Sequence, residues 1–361
     1  MINYGKQSIN EDDIRAVEAV LRSDHLTCGP KVEEFEVNLA EYTGAKYAIA
    51  VSNGTAALHL LAITRKPADV YVPDITFMAT GNAFAHVGSK VHLVDIESNQ
   101  PMLPPADYNG LAIPVHMAGF PIDVSQFECN TIEDGCHALG ASIINPHTNS
   151  LIKVGSCKHS MATAFSFHPV KPITTGEGGA ITTNDEELAK KLKHLRSHGI
   201  EDLRYTMNHI GLNYRMSEMQ AALGISQLKR LDTFIERRRE IAAKYDAAFD
   251  KLGIVGIKEQ PNQYSGYHLY TIRVGNQHAV RKALLRQGIR TQVHYKPMHE
   301  LEYYAALATN DETSFTNATQ WANTTISIPI YPDLDGKTID KIIKVVLETA
   351  TMDIREYTSI K

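Results

Sequence analysis

Tyr47-Ala-Ile-Ala-Val51 is a short apolar run, followed at once by Ser52-Asn53-Gly54-Thr55 and the helical stretch AALHLLAI. Such a run reads as a buried strand, and its repetition in alternation with helical segments constrains the fold more than any other feature. Further short strands are expected at 70–72, 91–96, 111–115 and 131–132. Strands that alternate with helices pair in parallel and are covered on both faces. The fold class expected is therefore α/β with a mostly parallel central sheet.

Around this centre, Asn10 is placed to cap a helix whose first turn is Glu11, Asp12 and Asp13. Val32, Phe35 and Leu39 mark a second amphipathic helix that ends near Gly44. Residues 185–198 form a charged helix stopped by Gly199, and long helices occupy about 217–252 with an interruption near Leu231-Asp232. The pattern changes after Gly256. Residues 267–274 alternate as a half-buried strand, 279–287 are helical, 289–295 and 326–330 read as strands, and 338–350 as a closing helix. This divides the chain into an N-terminal segment with a large domain, 1–250, and a small α+β domain, 251–361.

With 361 residues, 43% of them hydrophobic, the chain has core material for about two domains. Thirty-six Lys and Arg against 41 Asp and Glu leave a net charge of −5, which supplies no field for a polyanion and argues against nucleic acid as a partner. No apolar run approaches the roughly 20 residues of a membrane helix, and the start MINYGKQSINEDD is acidic where a signal peptide is basic and then apolar. A soluble, cytoplasmic protein without a membrane partner is expected. Cys28, Cys129, Cys136 and Cys157 form no Cys-x-x-Cys pair, so they read as reduced thiols, and no metal site is expected.

Four segments carry possible chemistry, and each has an ordinary reading beside it. Ser52-Asn53-Gly54-Thr55-Ala56-Ala57 is a small-residue turn from strand to helix, where free N–H groups and the helix dipole make a seat for phosphate; many such turns hold nothing. Glu133 and Asp134 follow a strand end, where period 2 turns one of them inward, and an inward Asp134 is placed to hold a protonated ring nitrogen; the ordinary reading is that both are solvated loop residues or caps. Lys171 lies among prolines, hydroxyls and glycines in 165–180, and burial there would lower its pKa and free the amine for Schiff-base chemistry; the alternative is a lysine that snorkels to water. Asn213 and Arg215, in a polar loop that opens a helix, are placed to meet an anion or simply to decorate the surface.

A phosphate seat, a carboxylate for a ring nitrogen and a Schiff-base lysine are together the parts of a pyridoxal-phosphate enzyme. Through FSFHPVKPITTGEGGA, IEDGCHALGA, SNGTAAL and GLNYRMSEMQAALG, the chain resembles the DegT/DnrJ/EryC1/StrS sugar aminotransferases from about Tyr4 to the C-terminal helix. The resemblance implies the aspartate aminotransferase (type I) fold of pyridoxal-phosphate transferases. It also implies pyridoxal 5′-phosphate as cofactor, with its pyridoxamine form carrying the amine between two half-reactions. By the same resemblance Lys171 binds the cofactor and acts in catalysis, in a position where the family's dehydratase branch has histidine. Asp134 meets the pyridine nitrogen and His137 the phenolic oxygen. Gly54, Thr55, Ala56 and Ser166 cradle the phosphate, Phe77 lies over the ring, and Asn213 reaches the phosphate from the other subunit of a homodimer. Tyr4, Asp24, His25, Leu26, Thr27, His294, Tyr295 and Lys296 match segments around the nucleotide-sugar, which also meets Gly54, Ser166 and Asn213. The runs HPVKPITTGEGGA, QVHYKPMHE and RSHGI narrow the resemblance to the pseudaminic acid branch. That branch implies L-glutamate as donor and C4 of UDP-4-keto-6-deoxy-L-AltNAc as acceptor, with another NDP-4-keto- or 3-keto-sugar, or a catalytically idle cofactor-binding homologue, as alternatives. Departures fall at His25, where many relatives carry another residue, and at Gly135-Cys136, where other small residues are commoner.

Overall fold

The computed structural model describes residues 1–145, 148–201, 206–308 and 314–359. Helix α1 (Glu11–Leu21) starts as expected: the Asn10 side chain accepts the N–H groups of Asp12 and Asp13, while the Asp13 carboxylate accepts the Asn10 N–H. This reciprocal capping satisfies donors that the first helical turn leaves open. Helix α2 (Pro30–Thr43) follows with proline in its first turn. Strand β1 (Tyr47–Val51) then feeds α3 (Gly54–Arg65), capped by Asn53 through the Ala56 N–H at 2.8 Å.

The remaining central strands are β2 (Asp69–Pro73), β3 (Lys90–Val94), β4 (Leu111–Ala112), β5 (Ile132–Asp134), β6 (Ala162–Ser166) and β7 (Gly179–Thr183). A short helix α4 (Ala79–Ala85) lies between β2 and β3. Strand β2 pairs in parallel with β3 and β4, β5 pairs in parallel with β6, and parallel bridges Ala112–Thr131 and Val115–Asp134 join the two groups. Strand β7 runs antiparallel between β6 and β1. The sheet order is thus β3-β2-β4-β5-β6-β7-β1, with only β7 reversed, and the mostly parallel sheet is as expected. Strands β6 and β7 were not foreseen. They are joined by a loop rather than a helical crossover, and a connection of that kind returns the chain antiparallel.

Alternation along the central strands distributes the core. Ile49, Val51, Ala164 and Ile181 pack with Leu58, Leu60 and Leu61 of α3. Ala48, Ala50, Phe165 and Ala180 face the other way, toward Phe35 and Leu39 of α2. Helices α5 (Glu186–Leu195), α6 (Glu218–Leu228) and α7 (Leu231–Phe249) follow. The charged helix therefore stops at Leu195, short of Gly199, and the break between the long helices falls just before Leu231. The far end of α7 contributes Ile241, Tyr245 and Phe249 to another buried cluster. There they meet β8 (Tyr270–Arg273), α8 (Gln277–Arg286), β9 (Thr325–Ile328) and the closing helix Gly336–Ser359.

The strand expected at 289–295 does not form. This segment pairs with other strands or termini only through the single bridges Ile289 to Ile2 and Gln292 to Ser327, before its chain turns to the central cavity. An unforeseen three-stranded sheet joins Gln263–Tyr264, Ser142–Ile144 and Leu151–Lys153. No helix among the described residues is long and apolar enough to cross a membrane.

The tightest backbone approach in the sheet is at Gly179, opposite Val51 and Ser166. A β-carbon there would lie 2.8 Å from the Gly54 nitrogen and closer still to the Asn53 carbonyl group. Backbone cannot yield as a side-chain tip can, so Gly179→Ala is expected to destabilise the fold by about 1–3 kcal/mol, measured by urea unfolding against wild type.

Candidate active site

A cavity of ≈ 770 Å³ opens where the ends of β5 and β6 meet the start of α3. Lys171 enters it from the β6–β7 loop, with its backbone N–H held by the His168 carbonyl at 2.9 Å. Burial lowers the amine's pKa from its ordinary value, against weaker opposing pulls from Cys136 and Asp134. An amine with a lowered pKa is the form that acts as base and nucleophile.

Asp134 is the last residue of β5, so the strand runs further than expected and both carboxylates sit on it. Asp134 turns into the cavity, accepting the Thr80 hydroxyl at 2.7 Å and the Cys136 N–H at 3.1 Å. Glu133 is buried too and meets a different set of partners: His116 Nε2 at 2.7 Å, the Thr163 hydroxyl at 2.9 Å and the Ser160 hydroxyl. Because His116 Nδ1 accepts the Ile122 N–H at 2.9 Å, the proton of the neutral ring is on Nε2, facing Glu133. Burial pushes Glu133 up, but the hydrogen bond from His116, with those of the Ser160 and Thr163 hydroxyls, holds its pKa below the ordinary value. Neither carboxylate is a solvated loop group.

His137 is fixed in the same way. Its Nδ1 accepts the Ala118 N–H at 3.2 Å, which leaves the proton of the neutral ring on Nε2, 3.1 Å from the Tyr295 hydroxyl oxygen. Burial first, then Lys171 and His294, push its pKa well below the ordinary value. On the opposite side, Gly54, Thr55, Ala56 and Ser166 line the cavity. A β-carbon on Gly54 would lie 2.8 Å from that of Ser166, so only glycine permits this approach.

Phe77, half exposed, stands 5.7 Å from the Tyr295 ring, and Tyr4 stands 5.4 Å from His294. His294 bonds Ser327 through Nδ1 at 2.8 Å, and burial together with the Lys171 charge lowers its pKa to about 3. The segment that carries these residues is clasped to the rest of the site by His299. Its N–H and Nδ1 reach the two oxygens of the fully buried Asp74, at 2.8 and 2.5 Å.

The other expected residues lie outside the lining of this cavity. Asn213 is exposed on a segment bridged to Ser197, although its neighbour Tyr214 does line the cavity and accepts the Ser52 N–H through its carbonyl at 2.8 Å. Asp24, His25, Leu26 and Thr27 are exposed beside α6, whose Glu218 N–H meets the Leu26 carbonyl at 3.3 Å. Lys296 stands 3.9 Å from Glu300. The sequence reading did not assign Thr80, Tyr214 or His268 to the site. A signal for His268 was present, since it is the one histidine in the alternating stretch YHLYTIRV that reads as a half-buried strand.

The profile of the DegT/DnrJ/EryC1/StrS aminotransferase family matches residues 7–347. The chain belongs to this family. It is 37% identical, over an alignment covering 93% of this chain and 94% of the relative, to the UDP-4-amino-4,6-dideoxy-N-acetyl-beta-L-altrosamine transaminase of Campylobacter jejuni. Among solved structures it is similar to PseC of Helicobacter pylori, an aminotransferase of pseudaminic acid biosynthesis (TM-score 0.86, 29% identity, 97% of this chain and 99% of that one). It is similar also to the Streptococcus pneumoniae sugar aminotransferase Spr1654 in its pyridoxamine-phosphate form (TM-score 0.88, 26% identity, 98% and 99%). The enzyme is thus a pyridoxal-phosphate-dependent sugar aminotransferase with the type I fold.

Its residues fit that cofactor. The enclosed Lys171 amine suits an aldehyde, and the hydrogen-bonded Asp134 carboxylate suits a protonated ring nitrogen. Asn53 occupies the Ala56 N–H, and the N–H groups of Gly54 and Thr55 have no hydrogen-bond partner among the described residues, at the end of a helix that attracts phosphate.

His137, His268 and His294 all have pKa values below those of the unfolded chain, so the native state resists protons that the unfolded state binds. Stability from these groups is complete above about pH 6.5 and is lost as pH falls below it, each adding up to about 1.4 kcal/mol per pH unit. Urea unfolding between pH 7.5 and 4.5 is expected to show this slope, and His294→Gln to make it shallower.

Proposed function

We propose that the enzyme moves an amino group from L-glutamate to C4 of UDP-4-keto-6-deoxy-L-AltNAc, the aminotransfer step of pseudaminic acid biosynthesis. The observation that carries the reading is the convergence of a buried Lys171 amine, the Asp134 carboxylate and the neutral His137 in one cavity. Support for the sugar comes from the names and similarity of the Campylobacter jejuni and Helicobacter pylori proteins.

When bound, pyridoxal phosphate supplies an aldehyde that carries the amino group between substrates and a ring that takes up electrons. Lys171 would hold it covalently, Asp134 would keep its ring nitrogen protonated, and His137 would donate from Nε2 to its phenolic oxygen. Gly54, Thr55, Ala56 and Ser166 would seat the phosphate, with Phe77 over the ring. The Lys171 amine, which burial disposes to shed its own proton, removes the proton from the donor carbon that bears nitrogen and later delivers one to C4 of the sugar. Asp134 keeps its negative charge fixed through Thr80 and the Cys136 N–H, so no solvent must reorganise as charge develops. Tyr4, His294 and Tyr295 form the wall nearest the sugar.

Apart from Lys171, no lysine or arginine is among the described residues that line the cavity. A phosphate, a nucleotide diphosphate and the carboxylates of glutamate call for more positive charge and more donors. The exposed segment with Asn213 and Arg215 suits that need if it enters the site of a second copy, as do 24–27 and Lys296 for the nucleotide end. A homodimer with shared sites follows from this reading.

Single-turnover absorption of the cofactor tests the proposal. Wild type is expected to change its spectrum with L-glutamate and to revert with the keto-sugar, the product having an amine at C4 by NMR. Lys171→Ala is expected to lose both changes, and Asp134→Asn to slow them by about 10²–10³-fold. A spectrum unmoved by glutamate in wild type would mean an idle cofactor-binding protein, and turnover of only a dTDP- or GDP-sugar would replace the acceptor.

A further inference from the structure

His268 lines the cavity, is 3% exposed, and packs its ring 4.5 Å from that of His137. Unlike His137, His116, His294 and His299, it makes no side-chain hydrogen bond among the described residues. Its Nδ1 is sealed from solvent without a partner. A bare lone pair is tolerated in the interior more readily than an unpaired N–H, so the proton belongs on Nε2. Nε2 is not sealed, and the surface the ring retains lies in the cavity that it lines.

The backbone beneath the ring is rigid. The buried Arg238 guanidinium bonds the carbonyls of both His268 and Ile330, at 3.2 and 2.9 Å. His268 reaches Tyr295 through His137, whose Nε2 is 3.1 Å from the Tyr295 hydroxyl, and Gly54 and Ser166, the residues read as the phosphate seat, line the same cavity. We propose that His268 is a sugar-contacting residue, whose Nε2–H donates to a neutral oxygen of the acceptor, a keto, hydroxyl or acetamido oxygen. Burial and the neighbouring His137, Lys171, Arg238 and His294 all disfavour its cationic form, which suits an uncharged acceptor better than a carboxylate. This assignment rests on the nucleotide-sugar reading above.

Both half-reactions can be started from the pyridoxal-phosphate form and followed by the same absorption change, one with L-glutamate and one with a UDP-linked 4-amino sugar. His268→Phe keeps an aromatic ring against His137 and removes the donor. It is expected to raise the apparent dissociation constant of the amino sugar about tenfold, with a change for glutamate at least fivefold smaller, and His268→Gln is expected to recover part of the loss through its amide N–H. Equal losses with both substrates, or a shifted resting spectrum, would assign His268 to holding His137 and overturn the proposal. No change with either substrate would reduce the ring to packing and overturn it as well. The sugar for this comparison is whichever of a UDP- and dTDP-linked amino-sugar panel wild type accepts. A UDP failure with dTDP success corrects the acceptor alone, while failure with all of them removes the assignment together with the reading beneath it.

Discussion

The site depends on one contact, the approach of the Gly179 backbone to the turn at Asn53 and Gly54. Strand β7 inserts antiparallel between β6 and β1, so the chain leaves the end of β6, makes the loop that carries Lys171, and returns beside the strand that feeds α3. A helical crossover would have begun β7 at the opposite end of the sheet. The reversed strand therefore keeps the lysine at the edge where β5 delivers Asp134 and α3 presents its first N–H groups. Two glycines, 54 and 179, make the approach sterically possible.

Much of this was readable in the sequence because its causes are local. The Asn10 cap, the apolar run of β1 and the small residues that open α3 each act within a few positions, and the alternation of Glu133 and Asp134 follows from strand geometry. Strands β6 and β7 were hidden because GAITT and ATAFS have few large aliphatics and flank a loop rich in glycine and proline. Their pairing is set by a neighbouring strand more than by their own composition. The segment 289–295 had the alternating pattern of a strand, but side chains demanded by the cavity take it away from the sheet. The Thr80–Asp134 bond spans 54 residues, and neither it nor the His137–His268 contact leaves a sequence pattern.

Electrostatically, the cavity is a collection of bases whose proton affinity the protein interior lowers. Lys171, His137, His268 and His294 each lose proton affinity through burial, and the three histidines lose more through the Lys171 charge. Asp134 opposes this trend at Lys171, whose proton affinity it raises, and its bonds from the Thr80 hydroxyl and the Cys136 N–H fix its carboxylate in place. A pocket of this kind discriminates by hydrogen-bond donors of set direction, such as His137 Nε2, more than by net charge.

The Asp74–His299 clasp has a mechanical corollary. Asp74 is itself tied to the sheet, its N–H meeting the Val94 carbonyl at 2.9 Å, so the wall bearing His294 and Tyr295 is riveted to the strand end from which Phe77 springs. Prying these walls apart would break two bonds to a buried carboxylate at once. The spacing between the half-exposed Phe77 ring and the Tyr295 ring, which face each other across the cavity lining, is thereby set by the same pair of bonds.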